Sequence, residues 1–256
     1  MLVRFFYNEG AIDNVEIAKI AQYAENVFFG KPCGLMDQVA CAVGGIVAID
    51  FADPNSPIIE KLDVDISGAG YNLCITNTGG NHADLTDDYA SVPQEMKSIA
   101  AYFGKPVLRD LAEESFVASI PLLRSKYSDR AILRALHFFA ENRRVIEQTE
   151  ALKAGDLDTF FANVIASGRS SYCYLQNVYT TKNVEEQGLS LALCLSERLL
   201  AGQKAAWRVH GGGFAGTIQA FVPTSLVNSY RNAMDAAFGA DACMVLRIRP
   251  VGAIKL

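Results

Sequence analysis

The sequence has no excess of basic residues. Lysine and arginine total 23 against 28 aspartates and glutamates, which gives a formal net charge of -5 and a pI near 5.3. A nucleic-acid surface depends on clustered positive charge, and basic pairs such as Arg143-Arg144 are isolated here. The composition therefore argues against a nucleic-acid partner.

Metal-binding and disulfide patterns are lacking as well. None of the six cysteines forms a C-x-x-C pair, and the three histidines, His82, His137 and His210, have no metal-ligand spacing. We expect reduced, buried thiols, hydrogen-bonding or core histidines, and neither a disulfide framework nor a zinc site. No apolar run is long enough to cross a membrane, so we expect no membrane partner and a cytoplasmic location.

The segment 30–38, GKPCGLMDQ, directs attention to one carboxylate. Its glycines and proline end a preceding helix and predict a tight turn, after which residues 37–43 form a short helix stopped by Gly44-Gly45. Asp37 then stands at a helix start. One interpretation is an N-cap, which Asp favours. The other is a carboxylate that accepts the proton of an attacking hydroxyl, and the two roles are compatible.

A patterned helix precedes this turn. Asp13 and Glu16 form a capping-box pattern, and Glu25 flanks the apolar stripe that follows. The stripe consists of Ile17, Ile20, Ala21, Ala24, Val27 and Phe28. A solvated edge charge is the default interpretation of Glu25. Because the turn folds the chain back, the alternative is that Glu25 and Asp37 face one cleft and share a hard cation such as Mg²⁺.

The remaining patterns predict an α+β fold. Strands are expected at 46–51, 71–76, 205–209, 217–222 and 244–249, with helices at 130–152 capped by Asp129, from Asn183 with Glu186 to Leu200, and from Thr224 onward. Their order suggests a split βαβ sandwich with an inserted helical stretch. We place a domain boundary near 62–70, which divides the chain into residues 1–66 and 67–256.

A glycine loop lies between two of these strands. Gly211, Gly212, Gly213 and Gly216 formally satisfy G-x-G-x-x-G, but the dinucleotide fingerprint requires a helix directly after it, and here residues 217–222 read as a strand. The loop is either a tight connection without a ligand or a backbone that approaches an anion closely.

Tyr89 also has two interpretations. Its place on the apolar stripe shared with Val92, Met96, Ile99 and Phe103 favours core packing. Because it follows the polar residues Asp87-Asp88, its hydroxyl could instead project into a cleft.

These separated motifs, taken in order, resemble galactokinases of the GHMP kinase superfamily. The resemblance rests on Ala24-Glu25-Asn26 with Phe28, the 30–38 segment, Gly44-Gly45 and the strand after it, Asn77-Thr78-Gly79-Gly80-Asn81-His82 with Tyr89, the 135–145 helix with His137, Glu141, Asn142 and Arg144, and the 209–217 loop. It implies a remnant of an S5-like N-terminal domain followed by a ferredoxin-like C-terminal domain with a helical insertion.

The resemblance also implies a reaction, the transfer of the ATP γ-phosphoryl group to the anomeric hydroxyl of D-galactose, with ATP and Mg²⁺ as cofactors. By similarity, Asp37 is the proton acceptor and a substrate contact, and Glu25 is a magnesium ligand. Gly34 and Tyr89 are sugar contacts by the same comparison. The glycine loop, Gly211 to Gly216, lies beside the active site in such enzymes.

Two further features of the family are not found in the sequence. Its first motif supplies sugar-binding residues, and its second is a Gly/Ser-rich loop that wraps the ATP phosphates. We therefore expect a galactokinase lacking its leading portion, inactive alone, and prone to self-association through apolar surface on the 17–28 helix and the open edge of the 46–51 strand. An N-acetylgalactosamine kinase and a non-catalytic sugar sensor are the alternatives.

Overall fold

The computed structural model describes residues 8–30, 33–80 and 85–254. The chain separates into two compact units. The first comprises Met1–Asp65, Leu152–Gly155 and Arg247–Leu256, and the second comprises Ile66–Ala151 and Asp156–Leu246. The domain division expected from the sequence stays a prediction, and the units differ from it in grouping the carboxyl-terminal segment with the first of them.

The first unit contains two helices and a hairpin. Helix α1 (Asn14–Tyr23) begins at the N-cap Asp13, whose carboxylate accepts the Glu16 N–H at 2.8 Å, and it continues as a π-helical turn over Ala24–Phe28. Helix α2 (Met36–Val43) leads into strands β1 (Ile46–Asp50) and β2 (Ile58–Leu62), which pair antiparallel. The small core consists of Ala18, Leu35, Val39 and Ala42.

The turn between α2 and β1 is closed by the carboxyl-terminal segment. Gly45 N–H donates to the Arg249 carbonyl at 2.7 Å, and Ala253 N–H donates to the Ala42 carbonyl at 3.0 Å. Gly44 has φ +71°, and a Cβ there would lie 2.3 Å from the carbonyl carbon of Val251. Only glycine fits this position, because both the left-handed backbone and the close approach exclude a side chain.

A four-stranded antiparallel sheet organises the second unit. Its strands are β3 (Tyr71–Asn77), β4 (Ala206–Val209), β5 (Thr217–Pro223) and β6 (Cys243–Leu246). Their order across the sheet is β4-β5-β3-β6. With the helices that connect them, this is the split βαβ arrangement of ferredoxin-like domains, as the sequence pattern predicted.

Helices cover both faces of this sheet. Helices α8 (Gly188–Leu200) and α9 (Val227–Phe238) pack on the face that carries Ala220 and Val222. On the other face, Phe160 and Phe161 of α7 (Leu157–Ser170) contact the ring of Phe221. Successive side chains of β5 thus pack against helices on opposite faces of the sheet, as the two-residue period of a strand requires.

The helical insertion lies between β3 and α7. It contains α3 (Thr86–Tyr102), α4 (Glu113–Ala118), α5 (Ile120–Leu123) and the long α6 (Asp129–Lys153). A separate core joins α3 to α6 through buried apolar residues that include Ile99, Phe116, Leu123 and Ala135.

Several local predictions need correction. Strand β2 was not expected, and the strand predicted at 244–249 ends at Leu246. The helix expected from Asn183 begins only at Gly188, and Asp129 lies within α6, where Ser128 Oγ rather than Asp129 accepts the Ala131 N–H at 3.2 Å. The Thr224 start is a 3₁₀ turn, Thr224–Leu226, that leads directly into α9.

The apolar stripe on α1 and its extension was also predicted only in part. Ala18 is the buried residue of α1, whereas Val27 and Phe28 are exposed. The predicted exposed apolar surface is present, with Phe28 and Phe29 78% and 84% exposed. Self-association through it stays a prediction.

The exposure of the cysteines was predicted only in part. All six cysteines are free, and Cys74 and Cys243 are buried as expected, but Cys41, Cys173 and Cys194 are exposed, contrary to the prediction.

No helix within the described ranges has the length and apolar character needed to span a bilayer.

Candidate functional site

Hydrogen bonds from the end of α1 hold the turn before Asp37. Cys33 N–H donates to Asn26 Oδ1 at 2.7 Å, and the Cys33 carbonyl accepts from Gln22 Nε2 at 3.1 Å. Gly30 has φ +66°, and Lys31 and Pro32 lie outside the described residues. Gly34 is exposed, and no described atom lies within 4 Å of its Cβ position.

Asp37 is exposed in the first turn of α2. It is not the N-cap, which is Leu35, and no side-chain cap bond forms there. The N-cap interpretation is therefore wrong, because the helix begins one residue earlier than the pattern predicted. The positive end of the helix dipole favours a carboxylate at this position. The Asp37 oxygens face solvent instead of serving as a helix cap.

Glu25 lies against the residue next to Asp37. Gln38 Nε2 donates to Glu25 Oε2 at 3.0 Å and to Cys33 Sγ at 3.3 Å. Gln38 Oε1 is buried and has no hydrogen-bond partner among the described residues. The turn has thus brought Glu25 to Gln38 in the first turns of α2, and a cleft shared with Asp37 stays a prediction.

Oxygen donors of this kind suit magnesium. Mg²⁺ is commonly held by one or two carboxylates together with phosphate oxygens and water. Glu25 supplies one such carboxylate, and one of its oxygens already accepts from Gln38, so this residue suits the ion when phosphate and water complete the shell. No group of three or more His, Cys, Asp or Glu side chains with metal-binding geometry occurs in the described part of the chain.

Tyr89 packs directly on the glycine loop in the second unit. Its hydroxyl donates to the Gly213 carbonyl at 2.8 Å, and its ring meets Phe214 edge-on with centroids 5.4 Å apart. Partial burial raises the pKa of Tyr89 above its usual value. The pattern predicted either core packing or a cleft hydroxyl, and the residue combines an apolar ring contact with a polar contact to the loop.

Asn177 also holds the loop, although no local pattern indicated it. Its backbone carbonyl accepts the Phe214 N–H, and its Nδ2 donates to the Gly212 carbonyl at 3.0 Å. Gly213 has φ +78°, and a Cβ there would lie 2.0 Å from the Asn177 carbonyl oxygen. The loop is therefore a tightly determined connection that only glycine allows at this position.

The loop also contains local irregularities. Gly211 and Gly216 have φ of +66° and +94°, and Phe214 has φ +58°, which is uncommon for a residue with a side chain. His210 N–H donates to the Thr217 carbonyl at 3.0 Å, and residues 217–223 form strand β5. The absence of a helix after the loop confirms that it is not a dinucleotide fingerprint.

A partly buried polar network joins α6 to Ser167 and Arg208, neither of which any sequence motif included. Ser167 Oγ donates to Glu141 Oε2 at 2.7 Å and accepts from Arg208 Nη1 at 2.6 Å, while Arg144 pairs with Glu141 on its own helix. Burial lowers the pKa of His137 to about 4, and its Nδ1 lies 2.9 Å from Ser170 Oγ.

His137 is thus a core histidine, as predicted. His210 is exposed, with Nδ1 2.9 Å from Thr217 Oγ1, and His82 lies outside the described residues.

The predicted site residues therefore fall into two groups. Glu25, Gly34 and Asp37 belong to the first unit, where Glu25 and the start of α2 are brought together. Tyr89 and the glycine loop belong to the second unit, where they are in direct contact. Spacing along the chain could not reveal the second group, because Tyr89 and Gly213 are 124 residues apart.

Comparisons with known proteins agree with this architecture. A family profile described as the GHMP kinases N terminal domain matches residues 1–45. The galactokinase of Actinobacillus pleuropneumoniae serotype 5b (strain L20) is 33% identical over 84% of this chain and 53% of its own length. That of Glaesserella parasuis serovar 5 (strain SH0165) is 33% identical over 86% of this chain and 54% of its own.

A solved structure gives the same result for the fold. The crystal structure of Lactococcus lactis galactokinase complexed with galactose matches with a TM-score of 0.74 and 23% identity, covering 100% of this chain and 64% of that one. The chain shares the fold of GHMP kinases, and its first 45 residues match the profile of their N-terminal domain. It is similar to galactokinases over most of its own length, and it spans about half the length of the curated relatives that it matches.

Proposed function

We propose that this chain contributes to a galactokinase, in which the γ-phosphoryl group of ATP is transferred to the anomeric hydroxyl of galactose. The observation that carries the proposal is the placement of Asp37, exposed in the first turn of α2 beside the residue that binds Glu25. Homology to galactokinases at 33% identity supports it.

Asp37 is the proposed proton acceptor. Phosphoryl transfer depends mainly on positioning and on electrostatic stabilisation, and a carboxylate that orients the nucleophilic hydroxyl takes up its proton. An exposed carboxylate that is not serving as a helix cap retains both oxygens for this role.

Glu25 is the proposed magnesium ligand. Gln38 already fixes one of its oxygens, which restricts the orientation of the carboxylate. When bound, the ion would neutralise charge on the transferring phosphates.

Tyr89 and the glycine loop are proposed to contact substrate. The bond to the Gly213 carbonyl holds the Tyr89 hydroxyl on the glycine loop, and a phenolic hydroxyl can both donate to and accept from a sugar. Gly34, exposed and without a side chain, lets a sugar approach the backbone before α2. The N–H groups of the loop glycines, Gly211, Gly212, Gly213 and Gly216, are the proposed contacts to phosphate.

A chimera tests this proposal. The chain replaces the part of the A. pleuropneumoniae galactokinase that it matches, and ATP turnover with galactose is measured in a coupled assay. We expect turnover in the chimera and none from the chain by itself. Asp37→Asn should lower kcat by about a hundredfold to ten-thousandfold, the usual contribution of general-base catalysis.

The matched control is Asp63→Asn, which removes an exposed carboxylate of the same unit. It should leave kcat unchanged. Equal turnover by the Asp37→Asn and unmodified chimeras would contradict the proposal. Preference for N-acetylgalactosamine would favour the related kinase, and galactose binding without turnover would favour a sugar sensor.

A further inference from the structure

A cavity in the second unit lies beyond the residues assigned above. Its volume is about 440 Å³, within the range of small-molecule sites. Two guanidinium groups, Arg130 and Arg134, line it together with Asp88 and the rings of Tyr179 and Phe214. All of these residues belong to the second unit, so the cavity does not depend on Asp37 or Glu25.

Arg134 is the unusual member of this lining. Its side chain is 1% exposed, and it donates from Nε to the Leu175 carbonyl at 3.0 Å and from Nη1 to Ser91 Oγ and Glu95 Oε2, both at 2.9 Å. Nη2 makes no hydrogen bond with any described residue. A buried guanidinium with an unused donor beside a cavity has hydrogen-bonding capacity for a ligand.

The arginine pair suits an oxyanion. Arg130 and Arg134 share one carboxylate, Glu95, through bonds to both of its oxygens. Asp88, the other carboxylate of the lining, accepts the Thr180 hydroxyl at 2.9 Å and adds a second negative charge near the pair. Two guanidiniums held by one carboxylate offer N–H groups that suit the planar or tetrahedral oxygens of carboxylates and phosphates.

The part of the lining that contacts Arg134 has an irregular backbone. Residues Ser171–Leu175 form a π-helical turn, a feature that often marks functional sites. Gln176 follows it at φ +58°, in the left-handed region, and its N–H donates to the Ser171 carbonyl at 2.8 Å. This turn presents the Leu175 carbonyl to Arg134 and places Tyr172 and Cys173 on the cavity.

We propose that this cavity is a second ligand site, which binds a small organic oxyanion, a phosphate monoester or a carboxylate, between the Arg130–Arg134 pair and the aromatic rings. Phe214 belongs both to the cavity and to the glycine loop, where it contacts Tyr89. A ligand bound in the cavity would therefore affect the glycine loop of the proposed galactokinase site. The cavity is a separate site from the one proposed for the kinase reaction.

Cys173 provides a direct test, because its exposed thiol lines the cavity. Iodoacetamide labelling of the full chain is followed by peptide mass spectrometry, with glucose 6-phosphate, citrate or glucose as the added probe. At ten times its Kd, a bound anion should slow Cys173 labelling about tenfold by mass action. Labelling of Cys194, exposed on α8, should not change.

The three probes distinguish the sources of the oxyanion. Protection by glucose 6-phosphate alone identifies a phosphate ester, protection by citrate alone identifies a carboxylate, and protection by both supports the shared chemistry. Protection by uncharged glucose equal to that by the anions, or protection by none of the probes, would overturn the proposal.

Calorimetric titration of variants tests the arginine pair. Arg130→Gln should weaken anion binding about tenfold or more, since a hydrogen bond to a charged group is lost. Arg198→Gln removes an exposed arginine of the same unit and should leave Kd unchanged. Arg134→Gln is less informative because Arg134 also holds the fold together.

A cavity-filling variant provides an independent check. Cys173→Phe should abolish anion binding, whereas Cys194→Phe, the same change at another exposed cysteine, should not. Circular dichroism confirms that each variant is folded. Unchanged affinity in both Arg130→Gln and Cys173→Phe would show that the anion binds elsewhere and would refute the assignment. None of these measurements uses kinase activity, so they are independent of the galactokinase proposal.

Discussion

Substituting alanine for Gly213 should destabilise the second unit far more than the same change at Gly211. Both residues have positive φ, +78° at Gly213 and +66° at Gly211, so each alanine carries a left-handed backbone cost of about 1–2 kcal/mol. The added methyl group meets nothing within 4 Å at Gly211, but at Gly213 it would lie 2.0 Å from the Asn177 carbonyl oxygen.

The extra cost at Gly213 comes from backbone, which cannot move aside as a flexible side chain would. Relieving the clash requires separation of the loop from Asn177, with loss of the Phe214 N–H bond to its carbonyl and of the 2.8 Å bond from Tyr89 to Gly213. We therefore expect Gly213→Ala to lower the free energy of unfolding by about 4 kcal/mol or more. Among point mutations, losses of this size are found where a substitution causes a severe steric or buried polar defect.

Urea unfolding followed by tryptophan fluorescence measures this difference. Trp207, the single tryptophan, lies in strand β4 of the same unit and reports on its sheet. In thermal unfolding, each kcal/mol should lower Tm by about 2–4 °C for a unit of this size. Equal destabilisation by Gly211→Ala and Gly213→Ala would refute the argument, because the two changes differ only in the predicted clash.

Two further predictions concern buried charge. Arg134→Met leaves Glu95 with one fewer partner and should cost about 3–5 kcal/mol of unfolding free energy, whereas Arg124→Met, at a fully exposed pair, should leave the urea midpoint nearly unchanged. Because burial lowers the pKa of His137 to about 4, the unfolded chain binds a proton more readily, and stability should fall as pH drops from about 6.5 to 4. His137→Gln should flatten that dependence and His210→Gln should not, with urea midpoints measured across this range.

Much of the second unit was predictable because its signals are local. Alternating strands, a long amphipathic α6 and the βαβ order recur at short range and identify a ferredoxin-like sheet. The N-cap bond from the Glu16 N–H to Asp13, one half of the expected capping box, was equally local and is present. Strand β2 was missed because residues 58–62 contain Glu60 and Lys61, and only pairing with β1 makes them a strand.

Asp37 shows where local reasoning fails. The pattern made it an N-cap, but the helix begins at Met36, and a shift of one residue changes a capping side chain into an exposed one. Helix ends are set by the turn that precedes them, and here that turn is fixed by Asn26 and Gln22 from another helix. No spacing rule within residues 30–38 contains that information.

The sequence alone determined the class of fold, the residue types available for chemistry and the glycines that permit tight turns, because these depend on short-range periodicity and on side-chain chemistry. Tertiary structure decided the contacts: Tyr89 on Gly213, Asn177 behind the loop and Arg134 beside a cavity. These contacts join residues 35 to 124 positions apart. Packing of whole helices and strands sets such distances, and no local pattern encodes them.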